Sequence, residues 1–221
     1  MSAARNPRKF IAIAGNIGSG KSSLLEFLSA TYRAEPFYEP NDENPYLADF
    51  YRDMKRWAFQ SQLFFLSNKF RIHQQADRVP GLVIQDRTIF EDAEIFATAL
   101  YQMRKISKRD WETYQGFYGA ILDAIRPPDL MIYLRCSMRT LRQRIRIRGR
   151  KMEKDVPLAY LKRLERLYDD WIASYSMSEV LVRRAAAGAA VVFSSHQLDL
   201  VAVTGDIADH GRPGQYRRAA G

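Results

Sequence analysis

The chain carries a single cysteine, Cys136, among 221 residues. An internal disulfide is therefore excluded, and a reducing, cytoplasmic setting is expected. No apolar run approaches the ~20 residues that a membrane-spanning helix needs. The first ten residues, MSAARNPRKF, lack the apolar core of a secretory signal. No sequence period repeats, and no Ser/Gly/Pro-rich stretch divides the chain, so one domain is expected over 1–209. The last stretch, HGRPGQYRRAAG (210–221), is polar and reads as a frayed tail. Net charge is +9. That balance suits either nucleic acid or an enzyme that handles polyanionic nucleotides. Only one segment, around residues 142–151, holds a dense basic run.

Short apolar runs alternate with longer helical patterns. FIAIA (10–14), EPFYE (35–39), LVIQD (82–86), LMIYL (130–134) and AVVFS (190–194) read as strands. Helical patterns start near Lys21, Asn44, Arg56, Arg87, Ser107, Ser137 and Pro157. RRAAAGAA (183–190) reads as a loop or helix end. The alternation predicts an α/β fold with a five-stranded parallel sheet and helices on both faces. Cys136, just past a strand, reads as a core residue.

KFIAIAGNIGSGKSSLLE (9–26) runs from strand through a glycine-rich turn into a helix. Gly15, Gly20, Lys21 and Ser22 satisfy G-x-x-x-x-G-K-[ST], and Gly18 adds a further glycine. Glycines let backbone N–H groups turn toward phosphate oxygens without a Cβ in the way. The helix that follows directs its positive end at the anion. Lys21 brings charge to the β- and γ-phosphates, and the Ser22 hydroxyl is a ligand type for Mg2+. The loop from Gly15 through Asn16, Ile17, Gly18, Ser19, Gly20, Lys21, Ser22 and Ser23 is the candidate phosphate cradle.

In open α/β sheets, ligands sit beyond the carboxyl ends of the strands. The second expected strand ends at Glu39-Pro40 and the third at Asp86-Arg87. A carboxylate there can take a hydroxyl proton or hold Mg2+, and an arginine can stabilise a transferring phosphoryl group.

With these pieces the sequence resembles the deoxynucleoside kinase family over about residues 9–175. GNIGSGKSS resembles that family's P-loop, and Glu39-Pro40 its general-base motif. FYRDMKRWAFQSQ (50–62) resembles the stretch with a tyrosine, a tryptophan and a base-reading glutamine. DRTIFED (86–92) resembles its (D/E)RS motif, and RIRIRGRKMEKDVPLAYLKRL (144–164) its arginine-rich lid. The resemblance implies a P-loop NTPase fold and ATP-dependent phosphorylation of a deoxynucleoside for nucleotide salvage. It implies Glu39 as general base, Arg87 on the 5′-oxygen, and Asp86 with Ser22 on Mg2+. It implies Tyr51 and Glu153 on the sugar 3′-hydroxyl, Gln62 and Asp92 on the base edge, and Phe96 stacked on the base.

The residues themselves agree. Gln62 lies in a nearly all-apolar helix, where a buried amide needs partners. It shares a helical face with Phe59, Leu66 and Lys69. Asp92 and Phe96, four apart, set a carboxylate beside a ring. Arg144 and Arg148 share a face, and Arg150 follows Gly149 in a turn, so a lid can close them over a triphosphate. DRT replaces ERS here, as in the bacterial purine enzymes, which favours deoxyadenosine or deoxyguanosine. Lys69 stands near a base-reading arginine of some members.

Two other readings remain open at this stage. A nucleoside monophosphate kinase, such as thymidylate kinase, needs cations for its acceptor's phosphate, whereas EPNDENP is acidic. A nucleotide-gated, nucleic-acid-binding ATPase has no use for a base-reading glutamine. The expected partners are thus ATP and a deoxynucleoside, with no nucleic acid and no membrane. Trp111, Tyr114, Phe117, Tyr118, Ile121 and Leu122 form an aromatic-rich helix that suits a homodimer.

Overall fold

The computed structural model describes residues 9–150, 153 and 156–185. Strand β1 (Lys9–Gly15) is buried at every position after the first. Such a continuous apolar run belongs in the middle of a parallel sheet covered on both faces. There it lies, between β3 (Leu82–Asp86) and β4 (Leu130–Cys136), with β2 (Glu35–Phe37) and β5 (Glu179–Ala185) at the edges. All four pairings are parallel.

The period-two alternation of β1 divides the helices between the faces. Ile11 and Ile13 pack with Ile84, Ile132 and the Leu24, Leu25 and Leu28 stripe of α1 (Lys21–Tyr32). Ala12 and Ala14 face the other way. They share a core with Phe50 of α2 (Leu47–Arg52), Phe65 of α3 (Met54–Ala76) and Leu164 and Tyr168 of α8 (Leu158–Ser174). After β3 the chain forms a short α4 (Ile89–Glu91), a π-helical turn (Asp92–Ala97) and α5 (Thr98–Gln102). A π-turn widens the helix and re-aims its side chains, and it recurs at functional sites. α6 (Lys108–Leu122) is capped by Ser107 and α7 (Met138–Arg148) by Ser137, each accepting from a backbone N–H of the first turn.

β5, EVLVRRA at 179–185, is a strand that the sequence reading did not name, and Arg183–Ala185, read as loop or helix end, belong to it. Residues 190–194, 193–199 and 210–221 lie outside the described residues. β2 stops at Phe37, so Glu39 lies beyond the strand end rather than on it. On α6, Tyr114 and Tyr118 are buried against Leu66, Phe90 and Ala97, while Phe117 and Leu122 are exposed. The first two rings therefore belong to this chain's own core, not to a dimer face. Cys136 is buried, with its thiol directed at the Ala185 carbonyl. Among the described residues, no helix is long and apolar enough to cross a membrane.

Candidate active site

The carboxyl ends of β1, β2 and β3 open into one cavity of about 900 Å3. Its wall includes Ile17, Gly18, Gly20, Lys21, Ser22 and Ser23 from the loop, and Glu39, Tyr51, Gln62, Asp86, Arg87, Asp92 and Phe96 from the strand ends and helices. Arg144, Arg148, Arg150 and Glu153 close another side. Gly15, Asn16 and Ser19 lie behind that wall. Asn16 is tied to α8 through its side-chain N–H on the Leu161 carbonyl, 3.1 Å away.

The loop holds its shape with its own lysine. Lys21 Nζ donates to the carbonyls of Gly15 (2.7 Å) and Asn16 (3.2 Å). Burial pulls this ammonium down to about 8, Arg87 adds to the fall, and Asp86 and Glu91 oppose it. A Cβ on Gly15 would stand 2.8 Å from the Leu134 carbonyl, closer than any side chain tolerates. Arg144 Nη1, on the cavity side, braces the loop 2.6 Å from the Ser19 carbonyl.

Ser22 Oγ donates to Asp86 Oδ2 at 2.7 Å, and Asp86 Oδ1 is buried without a hydrogen-bond partner. A hydroxyl beside a carboxylate with a spare oxygen is a hard-oxygen donor set of the kind Mg2+ takes, with phosphate and water completing the shell. Among the described residues, no group of three or more His, Cys, Asp or Glu is placed to hold a metal ion.

Arg87 follows Asp86 in a left-handed backbone conformation, φ 57°, which is strained for a residue with a Cβ. Its N–H donates to the Ile13 carbonyl, so the sheet itself holds that turn. The guanidinium is fixed on every edge. Nη1 reaches Glu39 Oε1 at 2.6 Å, Nε reaches Glu91 Oε1 at 3.1 Å, and Nη2 reaches the Gly15 carbonyl at 3.2 Å. One face lies 4.2 Å above the Phe96 ring.

Glu39 gathers three donors: Arg87 and Lys69 (3.3 Å) on Oε1, and Asn41 Nδ2 (2.9 Å) on Oε2. Burial pushes this carboxyl up. Arg87, then Lys69 and Lys21, outweigh that and hold it well below the usual carboxylate range. Glu39 is therefore ionised near neutral pH. Lys69 also touches Asp92, 2.9 Å from Oδ2, and is itself fully buried. Burial pushes the Asp92 carboxyl up to about 7 against the pull of Lys69, and the Glu39 charge adds to the rise.

Gln62 is buried as its helix pattern predicts, and its Oε1 has no hydrogen-bond partner. An unpaired buried amide oxygen on a cavity wall is able to accept from a donor brought into the cavity. Phe96 lines the cavity as expected, with Arg87 already over one face of its ring. Tyr51 is half-buried. Burial, with Glu153 close by, keeps its phenol well above the ordinary value and so protonated. Arg148 and Arg150 meet Glu153 rather than standing apart from it, with Arg150 Nη1 at 3.5 Å.

Three residues of this network escape the sequence reading as site residues. Lys69 had a signal: a lysine seven residues after Gln62 on one face of an apolar helix. Glu91 had only its place beside Asp92. Tyr168, on α8, had none, because only the fold brings it to the loop.

The family model for deoxynucleoside kinase matches residues 11–207. A deoxyadenosine/deoxycytidine kinase of Bacillus subtilis is 35% identical over 176 residues, 79% of this chain and 81% of that protein. A deoxyadenosine kinase of Dictyostelium discoideum is 36% identical over 78% of this chain and 70% of that one. Among solved structures, a deoxyadenosine kinase from M. mycoides with bound dATP matches at TM-score 0.74 and 31% identity, covering 87% of this chain and 96% of that chain.

Proposed function

The chain belongs to the deoxynucleoside kinase family, and from that premise we propose that it moves the γ-phosphate of ATP to the 5′-hydroxyl of a purine deoxynucleoside. The observation that carries the reading is the Glu39–Arg87 ion pair, set in one cavity with the Lys21 loop. An ionised acceptor oxygen and a fixed cation then stand where an alcohol must meet a phosphate.

The 5′-hydroxyl donates to Glu39 and gives up its proton there as its oxygen bonds to the γ-phosphorus. The bond from that phosphorus to the β,γ-bridging oxygen breaks, and its electron pair leaves with ADP. Arg87 and Lys21 offset the charge that develops on the transferring group. Ser22 and Asp86 would hold Mg2+, which when bound screens the phosphate oxygens. Tyr51 and Glu153 take the sugar 3′-hydroxyl. Arg144, Arg148 and Arg150 serve the triphosphate, the latter two by exchanging Glu153 for phosphate.

Gln62 and Asp92 read the base edge, and Phe96 offers its free ring area to the base. The relatives named above are adenine-nucleoside kinases in whole or in part, which supports a purine. A monophosphate acceptor is disfavoured. The cations that meet Glu39, Arg87 after β3 and Lys69 on α3, are already neutralised by Glu39, Glu91 and Asp92. A role in nucleotide salvage follows from the chemistry. A homodimer through the exposed side of α6, around Phe117, and a cytoplasmic location complete the proposal.

The test is a substrate panel: Mg-ATP with each deoxynucleoside, each ribonucleoside and each deoxynucleoside monophosphate, followed by separation of products. Deoxyadenosine or deoxyguanosine should lead in kcat/KM. Turnover of monophosphates alone contradicts the reading.

A further inference from the structure

Glu91 is a fully buried carboxylate that does not line the cavity. All its bonds fall on one oxygen. Oε1 accepts from the Gly15 N–H (3.2 Å), from Arg87 Nε (3.1 Å) and from the Tyr168 hydroxyl. Oε2 is buried with no hydrogen-bond partner. Tyr168 also stands 2.9 Å from the Gly15 carbonyl, so the two side chains address both polar groups of that glycine. Both are buried, Glu91 at the end of α4 and Tyr168 on α8.

Burying a carboxylate is unfavourable unless a cation and hydrogen bonds compensate, and half of this one is uncompensated. An apolar side chain would pack the spot at less cost. The charge therefore has to be sought in what it holds. It holds Arg87, whose backbone is strained and whose other carboxylate partner is Glu39. In turnover Glu39 must turn its oxygen to the substrate hydroxyl, so its grip on Arg87 weakens when the arginine must stay in place. Glu91 cannot reach substrate and has no such second duty.

We propose that Glu91, with Tyr168, is a positioning residue that keeps Arg87 and Gly15 in register while Glu39 is engaged with the acceptor. The proposal rests on the kinase reading above. Glu91 supplies the constant counter-charge, and Tyr168 ties that carboxylate and the loop to α8.

The experiment is a mutant cycle on the full chain, with kcat and both KM values read separately. Glu91→Gln keeps the shape and removes the charge. It should lower kcat about thirtyfold, with KM for nucleoside and for ATP within about threefold of wild type, because the loss acts through Arg87 and not on binding. Glu91→Asp, which keeps the charge, should fall between. Arg87→Lys removes the Nε–H that Glu91 holds. In that background Glu91→Gln should cost less than about threefold more, since residues acting as one unit are not additive. An unchanged kcat, or the same loss in both backgrounds, overturns the proposal. Should Glu91→Gln fail to fold, Tyr168→Phe carries the same cycle with a smaller loss, about fivefold. Loss of fold in both assigns the cluster to stability and overturns it as well. An active wild type with indifferent variants refutes this inference alone, whereas a wild type that phosphorylates no nucleoside refutes the kinase reading with it.

Discussion

Arg87 Nη1 lies 2.6 Å from Glu39 Oε1, and the two come from residues 48 positions apart at the ends of neighbouring strands. The pair is nearly sealed from solvent, with side-chain exposures of 6% and 9%. A cation in this position keeps the carboxylate ionised near neutral pH and lowers its basicity for as long as the pair holds.

Glu39→Gln retains size and one acceptor oxygen but cannot take the proton. Loss of a general base costs ~10²–10⁴ in rate. Steady-state assays should show kcat falling by that order, while ATP affinity measured by calorimetry stays near wild type. A variant with wild-type kcat removes Glu39 from the chemistry.

Lys69 bridges Glu39 and Asp92 from a fully buried position. Lys69→Met keeps the length and removes the charge. Breaking a buried pair from one side costs ~3–5 kcal/mol. Asp92 then answers by holding its proton more tightly, so the cost should shrink as pH falls. Urea denaturation at about pH 8 and about pH 6 should show the larger loss at the higher pH. Equal losses at both would mean Asp92 does not depend on Lys69.

Burial, with the Glu39 charge, pushes the Asp92 carboxyl up to about 7 from its ordinary 3.8. The sign is that of a raised acid. The folded chain keeps a proton that the unfolded chain releases, so this group favours folding at low pH and costs stability as pH climbs toward 7. Lys69, Glu39, Arg87 and the buried Tyr114 phenol all act on it or are acted on by it. A protonated carboxyl is a weaker acceptor for an exocyclic amine than the carboxylate is, and one of its oxygens has become a donor. The kcat/KM for the nucleoside should therefore fall as pH drops through about 7, and Asp92→Asn should flatten that part of the profile relative to wild type. Superimposable profiles would take Asp92 off the base edge.

Gln62 lines the cavity, and its Oε1 is buried without a hydrogen-bond partner. Losing a hydrogen bond to a base edge is worth roughly 1–3 kcal/mol. Gln62→Ala should reduce kcat/KM for deoxyadenosine or deoxyguanosine at least about tenfold, with KM for ATP little changed. An indifferent mutant would make Gln62 a packing residue.

Much of this was legible in the sequence, for identifiable reasons. Buried parallel strands read as apolar runs, so β3 and β4 fall where LVIQD and LMIYL place them. β5 was missed because it is an edge strand. Its exposed positions are Glu179, Val182 and Arg184, and its apolar run is only three residues long, Val180 to Val182. The loop, Glu39, Asp86 and Arg87 each stand at a strand end, where motif and topology agree. Gln62 and Asp92 could be read from helix faces. The π-turn at Asp92–Ala97 could not, because a one-residue widening leaves no mark on the apolar period. The pairing of Arg148 and Arg150 with Glu153 also lay beyond reach, since charge sequence does not say which ions meet. Glu91 and Tyr168 sit 77 positions apart and meet only through the packing of α8 on the sheet.

Transfer to the 5′-oxygen of a deoxynucleoside can be read by phosphorus NMR of a reaction with deoxyadenosine and Mg-ATP. A single new phosphomonoester resonance, coupled to the 5′-methylene protons, should grow in step with ADP. Inorganic phosphate with ADP and no such ester, or an ester on the 3′-oxygen, would contradict it.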